Sequence, residues 1–251
     1  MKLGLFGGGF KPFTTGHFSK LSLALQENDK VIFFYSTASR QKGSGFNYTQ
    51  EMASQVFDIV SGALKRVYGD KIIINPIKPN SEGVAESTPI RETFKIIDYV
   101  AKDDPQMTVA YGINPSNVQT LTIYSDPRDI KFYTKNIGTQ NEQKYFGDLV
   151  KTGRLRFDSG LTDDGGIDRM ISSMRTFYPG SENEELESLI SVRGTQVRAC
   201  VAGGDCESLR RYLPDFLNTK EKNKIIDIMF QKPTLTSESL LRAFIKTKLV
   251  G

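Results

Sequence analysis

Two short stretches of the 251-residue chain carry residue types and spacings that could do chemistry. The first is GGGFKPFTTGH, residues 7–17, which holds three consecutive glycines and the chain's single histidine, His17. It lies between the apolar run Leu3-Gly4-Leu5-Phe6 and the pattern FSKLSLALQ. Glycines after a first strand let a backbone come close to a ligand. The helix that follows offers unpaired N–H groups and the positive end of its dipole to a phosphate. His17 falls at that helix start, where its ring could project toward the same anion. The spacing is neither the Walker pattern nor the dinucleotide fingerprint, because bulky Phe10 and then Lys11-Pro12-Phe13 separate the glycine run from Gly16. An ordinary P-loop and hydride transfer are therefore disfavoured. The second stretch is VRGTQVR, residues 192–198, also at a helix start; taken alone it reads as a helix capped by Thr195 with a solvated Arg198.

Isolated candidates lie between them. Arg40 and Lys42 occupy the polar, basic loop STASRQKGSGF after a second apolar run. Asp126, in Ser125-Asp126-Pro127, is a candidate for ribose or magnesium, although starting a turn before Pro127 suits it slightly better. Arg91 falls in the first turn of a helix, unfavourably for the dipole, which points to an anionic partner.

The elements that must position these residues follow from periodicity. Residues 2–6 predict a buried strand, Gly16 to Glu27 an amphipathic helix, and Val31 to Tyr35 a parallel strand buried on both faces. Asn47 or Thr49 could cap a helix through Val67, whose stripe is Met52, Val56, Ile59, Val60, Ala63 and Leu64. A strand at Lys71 to Asn75 comes next, then a helix from Thr88-Pro89, and then a strand at Val118 to Tyr124. The fold class expected is α/β: a doubly wound, Rossmann-like parallel sheet with helices on both faces, binding ligands outside the carboxyl ends of its strands. From 131 to 188 the alternation weakens, with a helix at Tyr145 to Val150 and a strand at Leu155 to Phe157 as its regular pieces. Leu189 to Val192 looks strand-like before the second helix start, and Lys220 to Lys248 helical. We therefore expect one domain over 1–251: a core of 1–130 and 189–217, an insertion or elaboration at 131–188, and a helical tail at 218–251.

Composition narrows the partners. The formal net charge of +4 arises from 33 Lys and Arg against 29 Asp and Glu, which suits anionic small molecules without requiring them. No basic block or aromatic–basic alternation marks a nucleic-acid surface. No run reaches the roughly 18 apolar residues of a membrane span. The first apolar run is too short for a secretory signal, so a cytoplasmic location is expected. Cys200 and Cys206 have neither zinc nor redox spacing. A homo-oligomer is compatible with the sequence, which leaves the state open.

The first stretch resembles the leading signature of the nucleotidylyltransferase superfamily, roughly G-x-F-x-P-x-[HT]-x-G-H, matched here by Gly8, Phe10, Pro12, Thr14, Gly16 and His17. Thr at the first [HT] position is the form of phosphopantetheine adenylyltransferases. The Pro-Phe pair looks more like the archaeal-type nicotinamide mononucleotide adenylyltransferases. VRGTQVR resembles the late signature [IV]-S-[SGA]-T-x-[IV]-R, with Arg193 where the family usually has Ser. The resemblance covers roughly 1–75, 118–126 and 189–217, leaving 131–190 unmatched.

What it implies is attack by an acceptor oxygen on the α-phosphorus of ATP or CTP, with pyrophosphate leaving. His17 and Thr14 would then hydrogen-bond the α-phosphate, and Lys11 could contact either substrate. Gly8, Gly9, Phe10 and the backbone near Gly16 would line the nucleotide site. Thr195, Gln196 and Arg198 at the second helix start would meet the β and γ phosphates. Mg2+ would be carried mainly by the nucleotide phosphates, with no protein metal site. Alternatives stay open at this point: a cytidylyltransferase acting on a sugar or polyol phosphate, or a nucleotide-binding or assembly protein that kept the fold and lost catalysis. A class I aminoacyl-tRNA synthetase relative would need a lysine-bearing second loop, and this chain has Arg198 there.

Overall fold

The structure, a computed structural model, describes residues 1–39, 46, 48–78, 87–137, 146–160 and 165–230. The first strand β1 (Lys2–Gly8) leads into helix α1 (Thr15–Glu27), and the same step repeats with β2 (Lys30–Ser36) and α2 (Gln50–Tyr68) before β3 (Ile72–Ile77). Helices α3 (Pro89–Lys102) and α4 (Gln106–Tyr111) then carry the chain back to β4 (Thr120–Tyr124). The remaining elements are α5 (Pro127–Ile137), α6 (Phe146–Lys151), β5 (Leu155–Asp158), α7 (Gly166–Met174), α8 (Asn183–Ile190), α9 (Gly194–Gly203), α10 (Cys206–Tyr212) and α11 (Thr219–Phe230).

The caps foreseen in the sequence form. Thr49 and Thr88 accept the N–H groups of Met52 and Arg91, both at 3.1 Å, and Pro89 occupies the first position of α3.

The five strands among the described residues are parallel and run in the order β3-β2-β1-β4-β5. Strand alternation sends Phe6 and Phe33 to one face and Leu3, Leu5, Ile32 and Phe34 to the other. The first face is covered by α1, α2 and α7 to α11, and the second by α3 to α6, so the sheet is buried on both sides as an α/β doubly wound fold requires. Chain order reverses between β1 and β4, which makes the crevice above their carboxyl ends the switch point where such sheets bind ligands.

One expectation needs correcting. Leu189 to Val192 is not a strand: Leu189 and Ile190 end α8, and a turn follows. Leu186 and Leu189 are both buried three residues apart, the helical period. The strand expected at Leu155 to Phe157, within 131–188, forms and is the fifth of the sheet. There Leu155 to Asp158 pair with Leu121 to Tyr124, and α7 packs its Met170, Ile171 and Met174 into the main core. The tail is helical through Phe230, and the rest of it lies outside the described residues. No helix among the described residues is long and apolar enough to cross a membrane.

Candidate active site at two helix starts

The site begins with the cap of α1. Thr14 is extended (φ −112°, ψ 169°), and its hydroxyl accepts the N–H of His17 at 3.3 Å. The Thr14 N–H donates in return to Nδ1 of His17 at 3.1 Å. This is a capping box in which a histidine takes the place of the usual Glu or Gln. A backbone N–H can only donate, so Nδ1 carries no proton, and the proton of the neutral ring sits on Nε2. Desolvation first, and then the positive charges of Lys20, Arg193 and Arg198, lower the His17 pKa to about 3. At neutral pH the imidazole is therefore an uncharged donor through Nε2–H. Phe10 holds the ring edge-on with centroids 4.8 Å apart, and Phe13 flanks it at 5.8 Å.

The start of α9 is built differently. Gln196 Oε1 accepts the Arg193 N–H at 2.7 Å, which is half of a capping box. Arg193 occupies the cap position and has no acceptor atom, so its side chain cannot complete it. As at any helix start, the leading N–H groups have no partner inside the helix. Arg198, 4% exposed, donates from Nη1 to the Lys11 carbonyl at 2.8 Å and ties the glycine loop to α9. The Lys11–Pro12 peptide in that loop is cis.

Three contacts join the two helix starts. The hydroxyl of Thr14 donates to the Val192 carbonyl at 3.2 Å, and that of Thr15 to the Leu189 carbonyl at 2.9 Å. At Gly16 a Cβ would stand 2.3 Å from the Val192 carbonyl oxygen and 2.7 Å from that of Ile190, so no side chain fits. Gly16 is required by this close approach of backbone to backbone.

Between the two starts, above the β1/β4 switch point, lies a cleft of about 460 Å³. Seven expected residues line it: Gly9, Lys11, Gly16, His17, Asp126, Thr195 and Arg198. Gly8, Phe10, Thr14 and Gln196 stand outside the lining. Phe10 is packed behind the wall in an aromatic cluster with Phe6, Phe13 and Phe33, and a Cβ on Gly8 would run into its ring at 2.5 Å. Thr14 departs from its expected role as a phosphate donor. It is fully buried, and its hydroxyl serves His17 and Val192 instead. Arg91 is exposed on α3 and is not part of the cleft. Arg40 and Lys42 lie outside the described residues.

The structure adds residues that the sequence reading passed over. Lys20 lies three residues after His17 on the same face of α1, a spacing that could have disclosed it. It forms an ion pair with Asp126. Burial, then Arg193, lower its pKa to about 8 against the opposing pull of Asp129. Glu187 and Ser191 line the cleft from α8 and its end, hidden in the sequence because that stretch looked like the approach to a strand. Ile167 contributes an apolar edge from α7.

The lining charges are Lys11, Lys20, Arg193 and Arg198 against Asp126 and Glu187, an excess of two positive charges with His17 neutral. Such a cleft suits a polyanion. Among the described residues no group of three or more His, Cys, Asp or Glu side chains could hold a metal ion.

No family profile and no curated protein sequence matches the chain. Among solved structures it is similar to a bifunctional NMN adenylyltransferase/ADP ribose pyrophosphatase from Francisella tularensis, at 16% identity and a TM-score of 0.31. The match covers 81% of this chain and 54% of that one, so the chain spans about half the length of the neighbour. A likeness of that size carries no functional argument, and the chemistry has to be argued from the cleft.

Proposed function

We propose that the protein is a nucleotidyltransferase. It would transfer a nucleoside monophosphate, AMP from ATP, to a phosphate-bearing small molecule and release pyrophosphate, with nicotinamide mononucleotide the first acceptor to test. The observation that carries this reading is His17: a neutral imidazole, donor only through Nε2, held where two helix starts face one cationic cleft.

An acceptor oxygen would form the new bond to the α-phosphorus while the bond from phosphorus to the bridging oxygen breaks, its electrons leaving on pyrophosphate. A phosphate monoester is already largely a dianion at neutral pH, so the attacking oxygen needs no base. His17 could not serve as one, since its Nδ1 is committed to the cap. Its suitable role is to donate from Nε2 to a phosphate oxygen on which charge gathers, as a preorganised neutral donor does. Lys11, Arg198 and the first N–H groups of α9, including that of Thr195, would hold the outer phosphates. Mg2+ fits as an ion brought by the nucleotide. Among the described residues Asp126 and Glu187 are the carboxylates that line the cleft, too few for an all-protein cage, and Mg2+ keeps waters and phosphate oxygens readily. When bound it would neutralise part of the polyphosphate charge.

The test is pyrophosphate release from ATP or CTP with Mg2+ and a panel of phosphorylated acceptors. His17→Ala is expected to lower kcat by about 100-fold or more, the scale of one lost oxyanion-type donor, while ATP affinity changes by less than about threefold. A His17→Ala enzyme with full turnover would remove the role given to the imidazole. ATP binding with no pyrophosphate release under any acceptor would replace this reading with that of a nucleotide-binding protein.

A further inference from the structure

An ion pair lies in the lining of the cleft, and its members are unequally buried. The side chain of Lys20 on α1 is 12% exposed, whereas that of Asp126, at the junction of β4 and α5, is 55% exposed. The groups facing the ammonium are the neutral His17 ring on its own helix, Arg193 from the start of α9, and Asp126 and Asp129 from the start of α5. Lys20 is thus a shielded cation beside another cation. A half-exposed carboxylate beside it is a weak partner, because water screens most of its attraction. Nothing in the packing of α1 calls for a charge here, since the buried side of that helix is supplied by Phe18, Leu21 and Leu25.

We propose that Lys20 is a displaceable phosphate ligand. In the empty cleft the Asp126 carboxylate holds the ammonium, and a phosphate oxygen of the incoming ligand takes that place while Asp126 turns back to water. The exchange keeps Lys20 paired throughout, so its ammonium is never left buried and uncompensated. It also makes Asp126 an internal competitor that lowers affinity for the ligand. The inference extends the proposed function by naming a further anion ligand in the same cleft, and it depends on that reading only for the class of ligand, a phosphate ester or polyphosphate. Binding measured without turnover separates the two: the inference can stand where pyrophosphate release fails, and can fall where release is seen.

The experiment is calorimetric titration of the full chain with ATP, tripolyphosphate and orthophosphate. It compares the wild type with Asp126→Asn, Lys20→Met and the double variant. Asn keeps the backbone carbonyl that accepts from Asp129 and Ile130 at the start of α5, and Met keeps the apolar stem of Lys20, so both variants should fold; thermal midpoints check this. Asp126→Asn is expected to bind roughly three- to fivefold tighter, the scale of one half-exposed ion pair. Lys20→Met is expected to bind roughly tenfold weaker or more. The deciding outcome is the double variant, which should match Lys20→Met, because Asp126 acts through Lys20. A gain shared by ATP and tripolyphosphate supports the proposal and assigns the ligand to the nucleotide's polyphosphate. A gain with orthophosphate alone supports it and assigns the ligand to the acceptor's phosphate. If Asp126→Asn tightens binding equally in the Lys20→Met background, or nowhere, Asp126 is not holding the lysine against the ligand and the proposal is overturned.

Discussion

Thr14 and His17 show how one short motif divides its labour. The sequence marks both as polar residues near an anion, and the structure separates them: His17 lines the cleft, while Thr14 is buried and builds the cap that fixes the ring's tautomer. Thr14 is therefore a positioning residue. Thr14→Val keeps the shape and removes the hydroxyl, so the His17 N–H and the Val192 carbonyl both lose a partner. We expect a loss of about 1 to 2 kcal/mol of stability in urea unfolding and a fall in kcat with ATP affinity nearly unchanged. Thr14→Ser should restore most of both, because it restores the hydroxyl. Wild-type turnover in Thr14→Val would mean that the ring keeps its orientation without the cap.

At the scale of elements, the geometry of the cleft depends on how closely α1 can approach the chain entering α9. Gly16 and Gly62 allow the same chemical change to be compared at two helical positions. At Gly16 an added methyl meets two carbonyl oxygens, whereas at Gly62 in α2 it meets nothing within 4 Å. Gly16→Ala is expected to cost about 3 kcal/mol and to abolish turnover, whereas Gly62→Ala should stabilise by about 1 kcal/mol through helix propensity. Denaturant midpoints moving the same way in both variants would count against this close approach. The long elements were legible because their periods are strong: Met52 to Leu64 repeat every three to four residues, and Val31 to Tyr35 run unbroken. Leu186 to Val192 was not, since short apolar runs serve strand and helix alike. The packing of Leu186 and Leu189 settled it as helix, whereas the strand read at Leu155 to Phe157 needed the structure only for its partner, β4.

For the whole molecule, holding His17 neutral has a cost in acid. Its folded pKa lies near 3 against an ordinary 6.5, so between these values the unfolded chain takes up a proton that the folded chain refuses. Stability from this group is thus lost as pH falls below about 6.5. The wild type should lose stability in urea unfolding on going from about pH 7 to pH 4, and His17→Gln should lose less over the same interval, by about 3 kcal/mol. Equal losses in the two proteins would show that the ring is not held neutral by the fold. The sequence by itself determined the α/β alternation, the glycine loop, and the seven expected residues that meet in the cleft, because these depend on local period and on residue chemistry at helix starts. Only the tertiary structure decided that Thr14 faces inward, that Lys20, Arg193 and Glu187 complete the cleft, and that the strand within 131–188 pairs with β4. Each of these rests on contacts between segments up to 178 residues apart, as in Thr14 to Val192, and such contacts leave no periodic trace in the chain.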